Sequence, residues 1–216
     1  ALARMGAPLV RAERIRAYVW ASLVSQILIV VTGGVVRLTG SGLGCPTWPR
    51  CVDSSYITVP AQGIHGVIEF GNRMLTFVLT LIAILTFLAV RKLARAERRG
   101  MWLPAFVLGL GIVAQAVLGG ITVLTGLNSW IVGAHFMLSA VLIAFAVLLV
   151  WRFYAHADLV AVAASYALSR VIGVVGLLAV VMGVVVTGAG PHAGDAKTPR
   201  NGLDPVIWQH YHSWPG

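Results

Sequence analysis

The chain has 216 residues, of which 58% are hydrophobic and only 11% are charged. Soluble domains carry about a quarter of charged residues, so this composition excludes an ordinary soluble globular protein and indicates a membrane protein. The net charge of +9 does not indicate nucleic-acid binding, because the sequence offers no soluble domain to present a basic patch.

Five apolar stretches reach the roughly 20 residues that a helix needs to cross a bilayer. They predict an all-α polytopic membrane protein, with a four-helix transmembrane bundle followed by the start of a second four-helix unit. A sixth helix begins near Asp204 and the sequence stops at Gly216, so we expect the chain to be incomplete at that end. The predicted spans are Tyr18–Thr39, Gly66–Val90, Met101–Thr125, Trp130–Trp151 and Tyr166–Ala189.

The basic residues predict the orientation of these spans. Most of them precede the first span or lie in the connections after the second and fourth spans, and such segments face the cytoplasm. The N-terminus is therefore expected inside, the loop of residues 40–65 outside, and the protein in the bacterial plasma membrane. Because no cleavage site follows a short apolar core, the first span is read as a retained helix. The cytoplasmic basic residues are Arg4, Arg11, Arg14, Arg16, Arg91, Lys92, Arg95, Arg98, Arg99, Arg152 and Arg170.

The outer loop after the first span contains both cysteines of the chain, Cys45 and Cys51. An oxidising compartment favours a disulfide between them, and two unpaired thiols are the alternative. A metal site is disfavoured, because no second Cys or His pair accompanies them at ligand spacing.

A weak internal repeat divides the chain. Thr39–Gly42 (TGSG) leaves the first span and Thr187–Gly190 (TGAG) leaves the fifth, and duplicated helical units are common in membrane proteins. We therefore predict three segments: a cytoplasmic segment (1–17), a four-helix half (18–155), and the start of a second half (156–216). In this last segment, the fifth helix is followed by an outer loop (190–203) and the sixth helix.

Glu69 is an ionisable residue inside the second span, and such residues are by default candidates for function. His65, Glu69 and Asn72 share one helix face, where a carboxylate could relay protons or hydrogen-bond a ligand. The alternative is a structural ion pair between Glu69 and Arg73 at i, i+4, and one pair could serve both roles.

His135 lies inside the fourth span, and we place it on a helix neighbouring Glu69. Imidazole is a common axial ligand of haem iron, although a lone core histidine is often only hydrogen-bonded. Glycines on nearby spans either permit close helix packing or leave room for a flat macrocycle, and the two readings explain them equally well. These glycines are Gly33, Gly34, Gly119 and Gly120.

Arg37 and Arg73 lie near the outer ends of the first two spans. Their guanidinium groups could pair with the carboxylates of a bound ligand such as haem propionates, or they could extend to lipid headgroups. His210 and His212 begin the sixth helix and cannot share a face, and we favour His212 because it corresponds to Asn72 in the repeat. His156 and His192 are expected to be solvated.

These features resemble the haem A synthase family, membrane enzymes that convert haem O to haem A for aa3-type cytochrome oxidase. The resemblance rests on VVTGGVVRLTGSGLGCPTWPRC (Val30–Cys51), EFGNR (Glu69–Arg73), the helix around His135, and TGAGPHAGD (Thr187–Asp195). It implies eight helices in two halves, in agreement with the repeat. It also implies oxidation of the haem C8 methyl group to a formyl group, by successive hydroxylations with oxygen derived from water.

The resemblance further implies a role for each matching residue. Haem O is the substrate of the first half, with His135 as an axial ligand and Glu69 as a required acid. Cys45 and Cys51 match a pair that can form a disulfide, and His212 matches one of two ligands of a haem b cofactor in the second half. Haem O synthase and cytochrome oxidase assembly factors are the implied partners, membrane lipid surrounds the protein, and homo-oligomers are an open alternative.

Two departures from the family pattern stand out. The family often has histidine at the position of Asn72, and asparagine is a poor haem ligand, so His135 binds alone or another group helps. His65 is a candidate, although it lies about 10 Å further along the helix at a rise of 1.5 Å per residue. The later helices, with the second haem b ligand, are missing, so full activity of this polypeptide is not expected. The alternative functions are a b-type cytochrome and a haem or proton transporter.

Overall fold

The computed structural model describes residues 14–93, 95–154, 163–191 and 194–214. All five predicted spans are helices long and apolar enough to cross a membrane, and the all-α polytopic fold is confirmed. The second helix begins at Gly63, three residues earlier than predicted. The α-helices are α1 (Ile15–Leu38), α2 (Gly63–Lys92), α3 (Arg95–Leu124), α4 (Ser129–Tyr154), α5 (Ala163–Ala189) and α6 (Pro205–Ser213).

The first four helices form a closed ring. Helix α1 packs on α2, α2 on α3, α3 on α4, and α4 returns to α1. Among the described residues, no Cα atom of α2 lies within 8 Å of one in α4, and the same holds for α1 and α3. These two pairs are therefore the diagonals of a four-helix bundle, and short connections make consecutive helices antiparallel neighbours.

Apolar packing fills one half of this ring. We call the end of the bundle that carries residues 39–62 the loop end, and the opposite end the far end. The main cluster of buried apolar residues lies in the far half, where Leu108, Leu142 and Leu149 are at most 2% exposed. Polar contacts also cross this half, among them a 2.9 Å hydrogen bond between the hydroxyls of Ser22 and Thr86 and a 3.0 Å hydrogen bond from Trp20 Nε1 to the hydroxyl of Tyr154.

The connecting segments meet at the loop end. The backbone N–H of Gly42 donates to the carbonyl of Gly194 over 2.8 Å, which joins the loop after α1 to the loop after α5. Leu127, in the turn between α3 and α4, adopts a positive φ of 60° and is buried beneath this junction. The turn thus directs an apolar side chain under the two loops and closes the end of the bundle.

Helix α5 lies outside the ring and packs on α4. Gly133 leaves space for Val184 of α5, since a side chain at Gly133 would overlap it. Helix α6 in turn packs on α5, and Asn201 ties the loop between them to α5 by donating to the carbonyls of Val185 (2.9 Å) and Gly188 (3.1 Å). Asp204 caps α6 by accepting the N–H of Val206 over 2.8 Å.

Candidate functional site

The cysteine loop, residues 39–62, lies along one face of α2. Ser41 is fully buried, and its hydroxyl contacts His65 Nδ1 over 2.9 Å. Gly44 follows, and its Cα lies so close to the carbonyl of His65 that no Cβ would fit. The loop therefore follows the α2 backbone, and glycine at position 44 permits the close approach.

Glu69 is held between its own helix and this loop. Its side chain is buried, it accepts a hydrogen bond from the backbone N–H of Cys45, and it accepts a second from Arg73 Nε over 3.0 Å. The i, i+4 ion pair considered from the sequence is therefore present. The carboxylate is engaged by a cation and a loop amide, so in this arrangement it stabilises the loop.

Arg73 acts as a clamp on the same loop. Beyond its pair with Glu69, its guanidinium donates to the backbone carbonyls of Cys45 (2.8 Å), Thr47 (3.0 Å) and Arg50 (3.2 Å). The planar fork of donors in arginine suits such multiple contacts. We expected this residue to face ligand carboxylates or lipid, and the sequence contains no direct signal for its contacts with the loop.

Cys45 and Cys51 are joined by a disulfide, as favoured from the sequence, and both are completely buried. Between them in the sequence, Trp48 reaches the neighbouring helix α3, where its indole ring lies directly against Gly120. A side chain at Gly120 would overlap the indole. The cysteine loop is thus attached to α2 by polar contacts and to α3 by one aromatic ring.

His135 faces the glycine next to the one that receives Trp48. The imidazole Cε1 lies 3.2 Å from the position that a Cβ of Gly119 would take. His135 Nδ1 is buried and has no hydrogen-bond partner among the described residues. The glycine pair of α3 therefore accommodates two rings, and close packing is the reading that the structure supports at Gly119 and Gly120. At Gly33 and Gly34, no neighbouring atom lies within 4 Å of the position that a Cβ would take.

The expectation that Glu69 and His135 lie on neighbouring helices is wrong. Glu69 belongs to α2 and His135 to α4, which are diagonal members of the ring. The sequence could not distinguish neighbouring helices from diagonal ones, because α2 and α4 are both antiparallel to α3, which lies between them in the chain. Two residues on diagonal helices of a bundle can approach a ligand from opposite sides of its interior.

The remaining candidates of the first half are dispersed. Asn72 Oδ1 accepts a 2.7 Å hydrogen bond from the hydroxyl of Thr32 on α1. Arg37 lies in the last turn of α1 and is partly buried, while His65 is exposed beside the loop. Of these three, His65 contacts the cysteine loop through its hydrogen bond with Ser41.

His212 repeats the arrangement of His135 at another helix pair. Its ring faces Gly183 of α5, with Cε1 3.0 Å from the position of a Cβ there. His212 Nδ1 hydrogen-bonds the carbonyl of Ala179 over 2.9 Å, whereas His210 is exposed. Of the two neighbouring histidines, His212 thus packs on α5. His156 and His192 lie outside the described residues.

Two polar residues near His135 were missed by the sequence analysis. Gln115 of α3 and Ser139 of α4 are hydrogen-bonded to each other and to the carbonyl of His135. A glutamine inside an apolar span was the signal that could have identified this contact. No group of three or more His, Cys, Asp or Glu side chains that could hold a metal ion occurs among the described residues.

Comparison with known proteins identifies the family. The family model described as "Cytochrome oxidase assembly protein" (COX15-CtaA) matches residues 16–202. Proteins named heme A synthase are similar: that of Lysinibacillus sphaericus is 37% identical over 60% of this chain and 41% of its own length. That of Geobacillus thermodenitrificans is 32% identical over 56% of this chain and 37% of its own length.

A third relative has the same name and a similar extent. The heme A synthase of Alkalihalophilus pseudofirmus is 32% identical over 63% of this chain and 46% of its own length. The chain thus spans less than half the length of the curated relatives that it matches. No solved structure matches the chain significantly. Because the family model covers most of the 216 residues, the chain belongs to the COX15-CtaA family of cytochrome oxidase assembly proteins.

Proposed function

We propose that this protein takes part in the synthesis of haem A, by oxidising the C8 methyl group of haem O to a formyl group. Family membership and relatives named heme A synthase support this proposal. The observation that carries it is His135, an imidazole within a membrane bundle, packed on a glycine, whose buried Nδ1 has no hydrogen-bond partner in the described part of the chain. Such a histidine suits axial ligation of the iron of a haem substrate.

The histidines fit the groups that the family implies. The carbonyl of Ala179 accepts a hydrogen bond from Nδ1–H of His212 when that nitrogen carries the proton, and Nε2 is then the nitrogen with a free lone pair. A haem b cofactor would be held by His212 in this way. When bound, this haem would supply a one-electron carrier for the electrons removed from the substrate.

The proposed reaction is a four-electron oxidation. One methyl group and one water give a formyl group, four protons and four electrons, and the water supplies the formyl oxygen. The C–H bonds of the methyl carbon are broken in stages, first to an alcohol and then to a hydrated aldehyde that loses water. The electrons pass to an acceptor of the membrane redox chain, and the protons must leave through groups of the protein.

Glu69 and the cysteine loop form the protein part of this proposal. The loop, clamped by Arg73, covers the loop end and limits the access of bulk water. Glu69 is the acid near that end, and we propose that it positions water or accepts a proton once its contact with the Cys45 amide opens. Arg37 and Asn72 are proposed to contact the edge of the substrate, Arg37 through a propionate.

We propose that these events take place at one side of the membrane. We propose that the N-terminus is cytoplasmic and that the cysteine loop lies outside, as the basic residues indicate. A haem O synthase is the proposed source of the substrate, and assembly factors of cytochrome oxidase are the proposed receivers of the product.

Reversed-phase separation of extracted haems tests the proposed function. Membranes that contain the product of the gene encoding this sequence, together with a haem O synthase, should yield haem A. His135→Ala should abolish haem A and leave haem O to accumulate, whereas His210→Ala, an exposed histidine, should not. Bound haem b without conversion of haem O would instead favour a b-type cytochrome, and absence of bound haem would favour a transporter.

A further inference from the structure

Where His135 packs on α3, two buried polar atoms have no hydrogen-bond partner among the described residues. One is Nδ1 of His135 on α4, and the other is Oε1 of Gln115 on α3. A buried polar atom without a partner is unfavourable, and more so where lipid surrounds the helices. The two atoms are complementary when the imidazole nitrogen carries its proton, because one then donates and the other accepts.

The amide of Gln115 is held in one orientation. Its Nε2 donates to Ser139 Oγ over 2.5 Å and to the carbonyl of His135 over 3.2 Å, and Ser139 Oγ donates to the same carbonyl over 3.2 Å. With the nitrogen engaged by two acceptors, the oxygen is the atom left for a donor. Gln115 and Gly119 are four residues apart on α3, so the amide and the imidazole lie on the same helix face.

Ligation of iron determines which nitrogen of His135 needs a partner. A neutral imidazole that binds a metal through Nε2 carries its proton on Nδ1, and this N–H is almost always donated to a carboxylate, carbonyl or water. His212 has such an acceptor in the carbonyl of Ala179. For His135, Gln115 Oε1 is the buried, unused acceptor on the helix that its ring packs against.

We infer that Gln115 is a positioning residue for the haem substrate: its Oε1 accepts the Nδ1–H of His135, directly or through one water molecule. This contact selects the tautomer that presents Nε2 to the iron and restricts rotation of the ring. The inference rests on the proposed function, since it assumes a haem on His135. It adds a residue on α3 to a site whose other proposed residues lie on α1, α2 and α4.

Two substitutions separate this role from a structural one. Gln115→Leu removes both the acceptor and the donor of the amide, whereas Gln115→Glu keeps an acceptor and removes the amide donor to Ser139. Both are made with His212→Ala, so that only haem at His135 is followed. Gln26→Leu removes another buried glutamine, on α1, and serves as the matched control. The probe is haem b, which is titrated into the purified protein while its absorbance is followed. The midpoint potential of the bound haem is then measured.

We expect Gln115→Leu to weaken haem b binding by about 10–100-fold, the usual effect of losing such a partner, and to raise the midpoint potential. Gln115→Glu should keep most of the affinity and lower the potential, because a carboxylate increases the basicity of the imidazole. Equal losses of affinity in both variants, with unchanged potential, would overturn the inference and leave Gln115 as a helix-packing residue.

The failure of the proposed function gives a different result. If, in the protein that carries His212→Ala, the affinity for haem b is unchanged by His135→Ala, both the ligand role of His135 and the role of Gln115 are overturned. If binding depends on His135 but Gln115→Leu behaves like Gln26→Leu, only the positioning role is overturned.

Discussion

The two halves of the four-helix ring are built from different interactions. In the far half, leucine, valine and alanine side chains fill the interior, and Leu142, Ala146 and Leu149 are at most 1% exposed. In the loop-end half, a salt bridge, a disulfide and glycine contacts hold the structure together. The comparison indicates that one half provides a rigid frame, while the other contains the groups that can do chemistry.

The difference has a physical reason. Inside a membrane, burial of apolar groups gives little driving force between helices, so the far half depends on close van der Waals packing. Pairing of polar groups is favoured in the same environment, and in the loop-end half Glu69 and Arg73 pair with the cysteine loop, while Asn72 and Gln115 pair with neighbouring helices. Substitutions in the far half should therefore change stability, whereas substitutions at the loop end should change loop structure or haem binding.

The largest effect is expected for Arg73→Leu. This change removes the partner of the buried Glu69 and three contacts with loop carbonyls, and loss of one partner of a buried pair destabilises by about 3–5 kcal/mol. Limited proteolysis of the cysteine loop should become much faster. Arg152→Leu, at the far end, is the control and should leave the loop protected; equal cleavage of both variants would contradict the clamp.

Leu149→Ala should lower the stability of the far half without affecting the site. The side chain is completely buried, and such a truncation leaves a cavity that destabilises by about 2–5 kcal/mol in well-packed cores. Thermal unfolding in detergent should show the loss, and haem b affinity should be unchanged. Leu110→Ala, where the leucine is 60% exposed, should have little effect on either quantity.

Gly119→Val should weaken haem binding through His135. A Cβ at this position lies 3.2 Å from the imidazole Cε1, so the larger side chain must displace the ring, and misplacement of a ligand reduces affinity by about 10-fold or more. Titration with haem b measures the change. Gly109→Val is the control, because Gly109 is on the same helix and no atom lies within 4 Å of the position that a Cβ would take there. A similar loss of haem affinity in this control would indicate a general defect of the helix.

The smallest effect is expected for Thr32→Val. It removes the 2.7 Å hydrogen bond from Thr32 to Asn72 that joins α1 to α2, and such bonds between membrane helices contribute about 0.6 kcal/mol on average. The thermal unfolding temperature should decrease slightly more than for Thr80→Val, whose hydroxyl donates to the carbonyl of Thr76 on its own helix. A loss of several kcal/mol would place Thr32 in the rigid frame instead.

Several features of the site were accessible from residue types and spacing. Glu69 and Arg73 at i, i+4 indicated an ion pair, and the two cysteines in one loop indicated the disulfide that the structure contains. Residues two apart cannot share a helix face, and His212 was preferred to His210 because it corresponds to Asn72 in the repeat. These inferences depend on local spacing and on the repeat, both of which can be read directly from the sequence.

Other features depend on how distant segments pack. The diagonal relation of α2 and α4 follows from the closure of the ring by α1 and α4. The contact of Trp48 with Gly120 and the proximity of Gln115 to His135 join residues far apart in the chain. Spacing within a helix contains no information about such contacts, because they are determined by the rotation of each helix about its axis.

The sequence by itself determined the class, the spans and the chemistry available, since hydropathy and helix periodicity are local properties of the chain. Its motifs also indicated the family that the comparison established. Only the tertiary structure decided that the Glu69 carboxylate is engaged by Arg73 and Cys45, and that His135 lies on the helix diagonal to that of Glu69. Those assignments require the packing of four helices and a loop in three dimensions, where the pairing of buried polar groups selects one arrangement.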